Sequence, residues 1–269
     1  MKKRNAALST VLSTVILSSV LLTITCIASY AANNAVNVQI ENVQFDQAKN
    51  VLLSLDQVVK KGMLTQQSYG YVRASFMDTI PQFAETGETL TMTIVDQQNH
   101  SYQVPVNIVK IKGGSYVGVL TPEVLLGDNS LILKNASSSI GRVKVFQEQG
   151  AWTSLDYERV RCIYAGTSNY YNGTGWDEKG SNVFEIMLMN VTFGVLEFGT
   201  QAYITVRNIG VNSAAPIQAS KNASIRVNSG GEVSSCSLGD LVRDCGGDPE
   251  KSILIHVVIV NIEISMLGG

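Results

Sequence analysis

Between Ala6 and Ala32 the chain runs for 27 residues, AALSTVLSTVILSSVLLTITCIASYAA, without a charge. A helix needs about 20 such residues to cross the hydrocarbon core of a bilayer. Lys2, Lys3 and Arg4 precede the run and no basic residue follows closely. That asymmetry predicts a single-pass protein of the cell membrane, its N-terminus cytoplasmic and the rest exported. A cleaved secretory signal is the competing reading, because Ser29-Tyr30-Ala31 places small residues as signal peptidase requires. Against it, the run is about twice the length of an ordinary signal core.

The helical pattern does not stop at the end of the run. From Asn33 to Lys61 there is no Gly or Pro, and Phe45, Ala48, Leu52, Leu55 and Val59 recur at steps of three and four. That spacing lines one face of a helix with apolar side chains, while Asp46, Lys49, Asp56 and Lys60 are assigned to other faces. Lys60 and Lys61 suit a helix C-terminus, and Gly62 suits its cap. The two segments together predict a stem of roughly 55 residues, ~80 Å long. Within the apolar run, hydroxyls at four-residue steps (Ser9/Ser13, Thr10/Thr14) allow two readings. They permit close approach of a second helix, hence self-association, or they bond to their own helix's carbonyls.

The basic start, the ALSTVLSTVILSSVLLTI run and the following F-x-Q-A-K-x-x-L-x-x-L-D helix (Phe45, Gln47, Ala48, Lys49, Leu52, Leu55, Asp56) resemble archaeal type IV pilin-like proteins. The resemblance covers about residues 1–76. It implies a first helix that anchors in the membrane and, after processing, forms the stem of a filament carrying a β-rich head. The peptidase of that family prefers a charged residue followed by Gly or Ala before its cut; here Asn5 stands between Arg4 and Ala6.

Residues 68–269 read as an extracellular β-rich domain following a stem of residues 1–67. Strand-like runs include Ser68–Phe76, Thr89–Asp96 with Ser101–Ile111 as a hairpin, Arg142–Gln147, and a long strand Trp152–Tyr164. Asn182–Phe193, Glu197–Ile209 and the very apolar Ser252–Met266 follow. Glu85–Glu88 reads as a turn, Tyr116–Leu120 as a short strand and Thr121–Glu123 as a possible helix start. Many short strands with Gly and Asn turns predict an antiparallel β-sandwich, so the fold class is mainly β with one long N-terminal helix.

Chemistry is sparse. The charge is nearly balanced, with 20 Lys and Arg against 22 Asp and Glu, which argues against nucleic acid as a partner. The two histidines, His100 and His256, have no metal-ligand spacing around them, and no phosphate loop, dinucleotide fingerprint or nucleophile elbow occurs. No catalytic residue, cofactor or metal is therefore assigned. Asp240, Asp244, Asp248 and Glu250 read as a solvated acidic loop rather than a calcium site. Cys236 and Cys245 bracket that loop and are the candidate disulfide, with two reduced thiols as the alternative.

Asn99, Asn135, Asn172 and Asn222 begin sequons in turn-like stretches and are the glycosylation candidates; a fifth, Asn190, falls in a strand. The irregular stretch Ala165–Gly180 offers Tyr170, Tyr171 and Trp176 as binding-loop candidates, or as packing residues at a sandwich end. The expectation is a non-enzymatic, pilin-like surface protein of structural or interaction type. The alternative is a secreted or anchored binding module that recognises a sugar or partner, its ligand unknown.

Overall fold

The structure, a computed structural model, describes residues 2–75, 81–113, 117–168, 180–197, 199 and 201–268, with side chains from residue 12 onward. One helix, α1 (Lys2–Gly62), takes up the whole N-terminal segment without a break, so Asn33 and Asn34 do not interrupt it. Its 61 residues extend for about 90 Å at 1.5 Å per residue.

After α1 come β1 (Tyr69–Ser75), β2 (Gln82–Val95), β3 (His100–Lys112), β4 (Glu123–Leu126), β5 (Ile132–Leu133), β6 (Arg142–Gln147), β7 (Ala151–Asp156) and β8 (Val160–Ser168). Then follow β9 (Ser181–Leu196), β10 (Gln201–Ser213), β11 (Ile217–Ala219), β12 (Ser224–Ser229), β13 (Glu232–Ser237), the short helix α2 (Leu238–Asp244) and β14 (Ser252–Gly268). The first sheet has the order β1-β10-β14-β9-β8-β5, with β11 also on β14; the second has the order β13-β12-β2-β3-β7-β6-β4. The protein is mainly β with one long N-terminal helix.

Most pairings are antiparallel, but β14 runs parallel to β9 and β5 parallel to β8, so the first sheet is mixed. Strand β14 is largely apolar because it is central, flanked by β10 and β9 along most of its length. It stays within one sheet.

Four local expectations are corrected. The stretch Trp152–Tyr164 is two strands, β7 in the second sheet and β8 in the first, with the chain crossing over at Tyr157–Arg159. The Glu85–Glu88 segment lies within β2 as an irregularity between Glu85 and Thr89, not at a hairpin end. Residues 117–120 are not a strand, and the strand at this place is β4, where a helix start was expected. The presumed acidic loop contains α2, whose N-cap Ser237 accepts a hydrogen bond from the Asp240 amide.

The core lies between the sheets and changes character along them. At one end the sheets pack directly, with Leu90, Met92 and Ile94 of β2 in one apolar cluster with Phe184, Ile186 and Leu188 of β9. At the other end the C-terminal half of α1 fills the space between them. There Leu52, Leu55 and Val59 join Val72 of β1, Ile204 of β10 and Ile262 of β14 from the first sheet, and Val109 of β3 and Leu155 of β7 from the second. A cross-sheet bond from Asn107 Nδ2 on β3 to the Val191 carbonyl of β9, 2.8 Å, ties the two layers.

Candidate anchor helix and outer cleft

The N-terminal half of α1, from Leu12 onward, is apolar and exposed. Ile16, Leu17, Val20, Leu21, Ile24 and Ile27 all have more than 45% of their surface free, and the helix is long and apolar enough to cross a membrane. Its hydroxyls turn inward on their own backbone. Ser18 donates to the Thr14 carbonyl and Thr23 to the Ser19 carbonyl at 2.8 Å, and Thr25 to the Leu21 carbonyl at 2.8 Å. The Ser9 and Thr10 side chains lie outside the described residues.

The same helix is buried further along. Phe45, Ala48, Leu52, Leu55 and Val59, the stripe expected from spacing, are each 4% exposed or less. Three glycines let the helix approach the sheets so closely, among them Gly113, where a Cβ would collide with the Phe45 ring. A Cβ on Gly70 of β1 would collide with Val58, and one on Gly141 would collide with the Asp56 carboxylate.

Asp56, which the sequence reading assigned to a face other than the apolar stripe, is buried with that stripe and only 3% exposed. It accepts a 2.6 Å bond from Ser139 Oγ, and Tyr157 and Arg159 face it. Burial pushes its carboxyl above the ordinary 3.8, and the Ser139 bond with the charges of Lys60 and Arg159 offsets only part of that. The Ser139 segment is itself held from the β8 side. Arg159, fully buried, donates to the carbonyls of Ile140 (3.1 Å), Ser139 (2.8 Å) and Gly141, and Arg161 donates to the Ser138 carbonyl at 2.6 Å. Lys60 reaches the Ser137 carbonyl at 3.1 Å. Residues 137–141 are thus clasped by the stem on one side and by two arginines on the other.

A second feature lies on the outer face of the second sheet, where a cleft of about 580 Å³ opens between β3, β6, β7, residues 122–129 and the β12–β13 turn. Its floor is a charge cluster. Arg142 Nε is 3.3 Å from both Asp156 oxygens, Arg142 Nη2 is 2.9 Å from Glu158, and Lys144 Nζ is 3.3 Å from Asp156. Arg142 and Asp156 are 4% and 2% exposed. Burial, then the Asp156 charge, raises the Glu158 carboxyl above its ordinary value. Lys110 stands over the Phe146 ring at 5.7 Å. None of these residues was singled out from sequence, although the alternation in IVKIK, RVKVFQ and AWTSLD already puts Lys110, Arg142, Lys144, Ser154 and Asp156 on one sheet face.

The remaining candidates are dispersed. Cys236 is buried on β13, Cys245 is exposed at the end of α2, and both are free thiols, as are Cys26 and Cys162. The Cys236–Cys245 disulfide is therefore absent from this structure. The helix α2 stands between the two residues in the chain, with Cys245 at its C-terminal cap. The acidic residues of this region are engaged locally, Asp240 with Arg243 at 3.0 Å and Glu250 with Lys221 at 2.5 Å. Among the described residues no group of three or more His, Cys, Asp or Glu is arranged to hold a metal.

Asn99, Asn135 and Asn222 are exposed. Asn135 accepts from the Ser137 amide at 2.9 Å and so shapes its own turn. Asn190 bonds to Asn261 at 2.8 Å. Asn172 and the binding-loop candidates Tyr170, Tyr171 and Trp176 lie outside the described residues. Comparison of the chain with protein-family models, with curated proteins and with solved structures gave no match.

Proposed function

We propose that the protein is a pilin-like, membrane-anchored surface protein whose β-rich head stands outside the cell on the stem of α1. The observation that carries this reading is the division of one unbroken helix into two environments. Its first half is apolar and bare, while its second half is seated between the sheets with Leu52, Leu55 and Val59 fully buried. A helix whose apolar side chains have no protein partner is stable where lipid or other helices surround it. The basic triplet Lys2–Arg4 supports an N-terminus in the cytoplasm.

The test is the topology together with the mature N-terminus. Protease added to intact cells removes the head if it is extracellular, and protection of the head would refute export. Mass spectrometry of the membrane-extracted chain then separates the outcomes. An intact Met1 means a permanent anchor, a start near Ala6 means a processed filament subunit, and a start at Ala32 means a secreted head. In a filament, the face open to neighbours is Val36, Ile40 and Val43, which are 45–57% exposed just before the seam. The seam itself is already occupied by the protein's own head.

A further inference from the structure

We propose that the outer cleft of the second sheet binds a short, uncharged glycan segment. The first ground is where the charges sit. Arg142 and Asp156 are almost wholly removed from water, yet they lie on the outer face of the sheet, at the floor of an open cavity of about 580 Å³. Burying an ion cluster contributes little net stability, because desolvation offsets the attraction. What the cluster does provide is rigidity: one guanidinium is clamped between the Asp156 and Glu158 carboxylates, with Lys144 on the far side of Asp156.

The second ground is what the walls leave unpartnered. Ser229 is 3% exposed and borders the cleft, and its hydroxyl, itself sealed from water, has no hydrogen-bond partner among the described residues. Among the described residues Lys110 has no ion-pair partner, and it stands over Phe146. Glu123 and Glu232 stand exposed at the rim.

The balance of groups selects the ligand. The four carboxylates and three cations that line the cleft nearly cancel, so it offers neither a polyanion nor a polycation a strong attractive field. A wholly apolar ligand would leave the ionic floor without water or partner. An uncharged polyol suits it, since each sugar hydroxyl both donates and accepts and so matches donors and acceptors set side by side. The volume lies within the range of small-ligand sites.

The experiment uses the full chain in a detergent without a sugar headgroup, titrated with maltose, cellobiose and N,N′-diacetylchitobiose by calorimetry and saturation-transfer NMR. At least one disaccharide should bind saturably. Lys110→Ala should weaken it about tenfold, the loss expected for one hydrogen bond from a charged donor, with the unfolding midpoint unchanged. Glu232→Ala, at the exposed rim, should weaken it without touching packed side chains. If glucuronate, spermidine or tetra-alanine binds in place of the neutral sugars, the ligand class is wrong. If no disaccharide binds, or both variants bind like the parent, the proposal fails. Neither result bears on whether α1 is an anchor.

Discussion

Asp56 sits where Ser139, Gly141 and Tyr157 shut out water, and that enclosure sets the direction in which its carboxyl titrates. Its folded-state value lies above the ordinary 3.8, so the folded chain holds this proton more tightly than the unfolded chain does. The associated stability is complete below pH 3.8 and is lost as pH rises through the raised value. Asp56→Asn keeps an acceptor for Ser139 and removes the titration. The expected outcome is a head at least as stable as the parent at pH 7, with the difference vanishing below about pH 4, read from denaturant midpoints across pH. Leu55→Ala tests the apolar neighbour on the same helix. It leaves a cavity at a fully buried position and should destabilise the head by about 2–5 kcal/mol in the same assay. The seam was legible because apolar residues at steps of three and four carry their own direction. Asp56 follows Leu52 by four and precedes Val59 by three, so its position also pointed inward. Its partners at 139–141 and 157–159 come from distant stretches, and no local pattern announces them.

At the scale of elements, α1 and β1 approach so closely that Gly70 has no room for a side chain beside Val58. Gly70→Leu should therefore push the helix off the sheet. The expected readout is faster proteolysis of residues 63–75 in the otherwise intact chain, and an unchanged digestion pattern would show that the helix is held elsewhere. Helix α2 rests on its Ser237 cap, and Ser237→Ala should cost about 1 kcal/mol of head stability by denaturation. The strands were legible where alternation was clean, as in β3, β6 and β10. Two boundaries were not. At Tyr157–Arg159 the apolar phase slips by one residue, from Leu155 and Tyr157 to Val160 and Cys162, and the crossover between sheets sits at that slip; the buried Arg159 reads in sequence as a solvent-facing residue. At β9 and β14 the parallel pairing follows from the long connection between them, which a strand-by-strand reading does not see.

For the molecule as a whole, the seam is part of the core. Five side chains of α1 close one end of the sandwich, each stabilising by roughly 1.5–3 kcal/mol when large and fully buried, against a total of about 5–15 kcal/mol for a folded domain. A chain beginning at residue 42 should thus give a folded, water-soluble head, whereas one beginning at residue 63 should lose cooperative unfolding and bind hydrophobic dyes. Sharp thermal transitions in both would mean that the helix decorates the head rather than completing it. That shared core also orders events in time. The side chains that receive Leu52 and Leu55 include Ile262 and Ile264 of the last strand, so the first segment of the chain to be made waits for the last. The helix is made first and waits while the strands follow, and the head locks only when β14 enters between β10 and β9. Until then the seam is uncovered and open to the wrong neighbour. Assembly of the head is in this sense the final act of synthesis, and a chain stalled short of residue 252 would keep its core unsealed and the seam of α1 open.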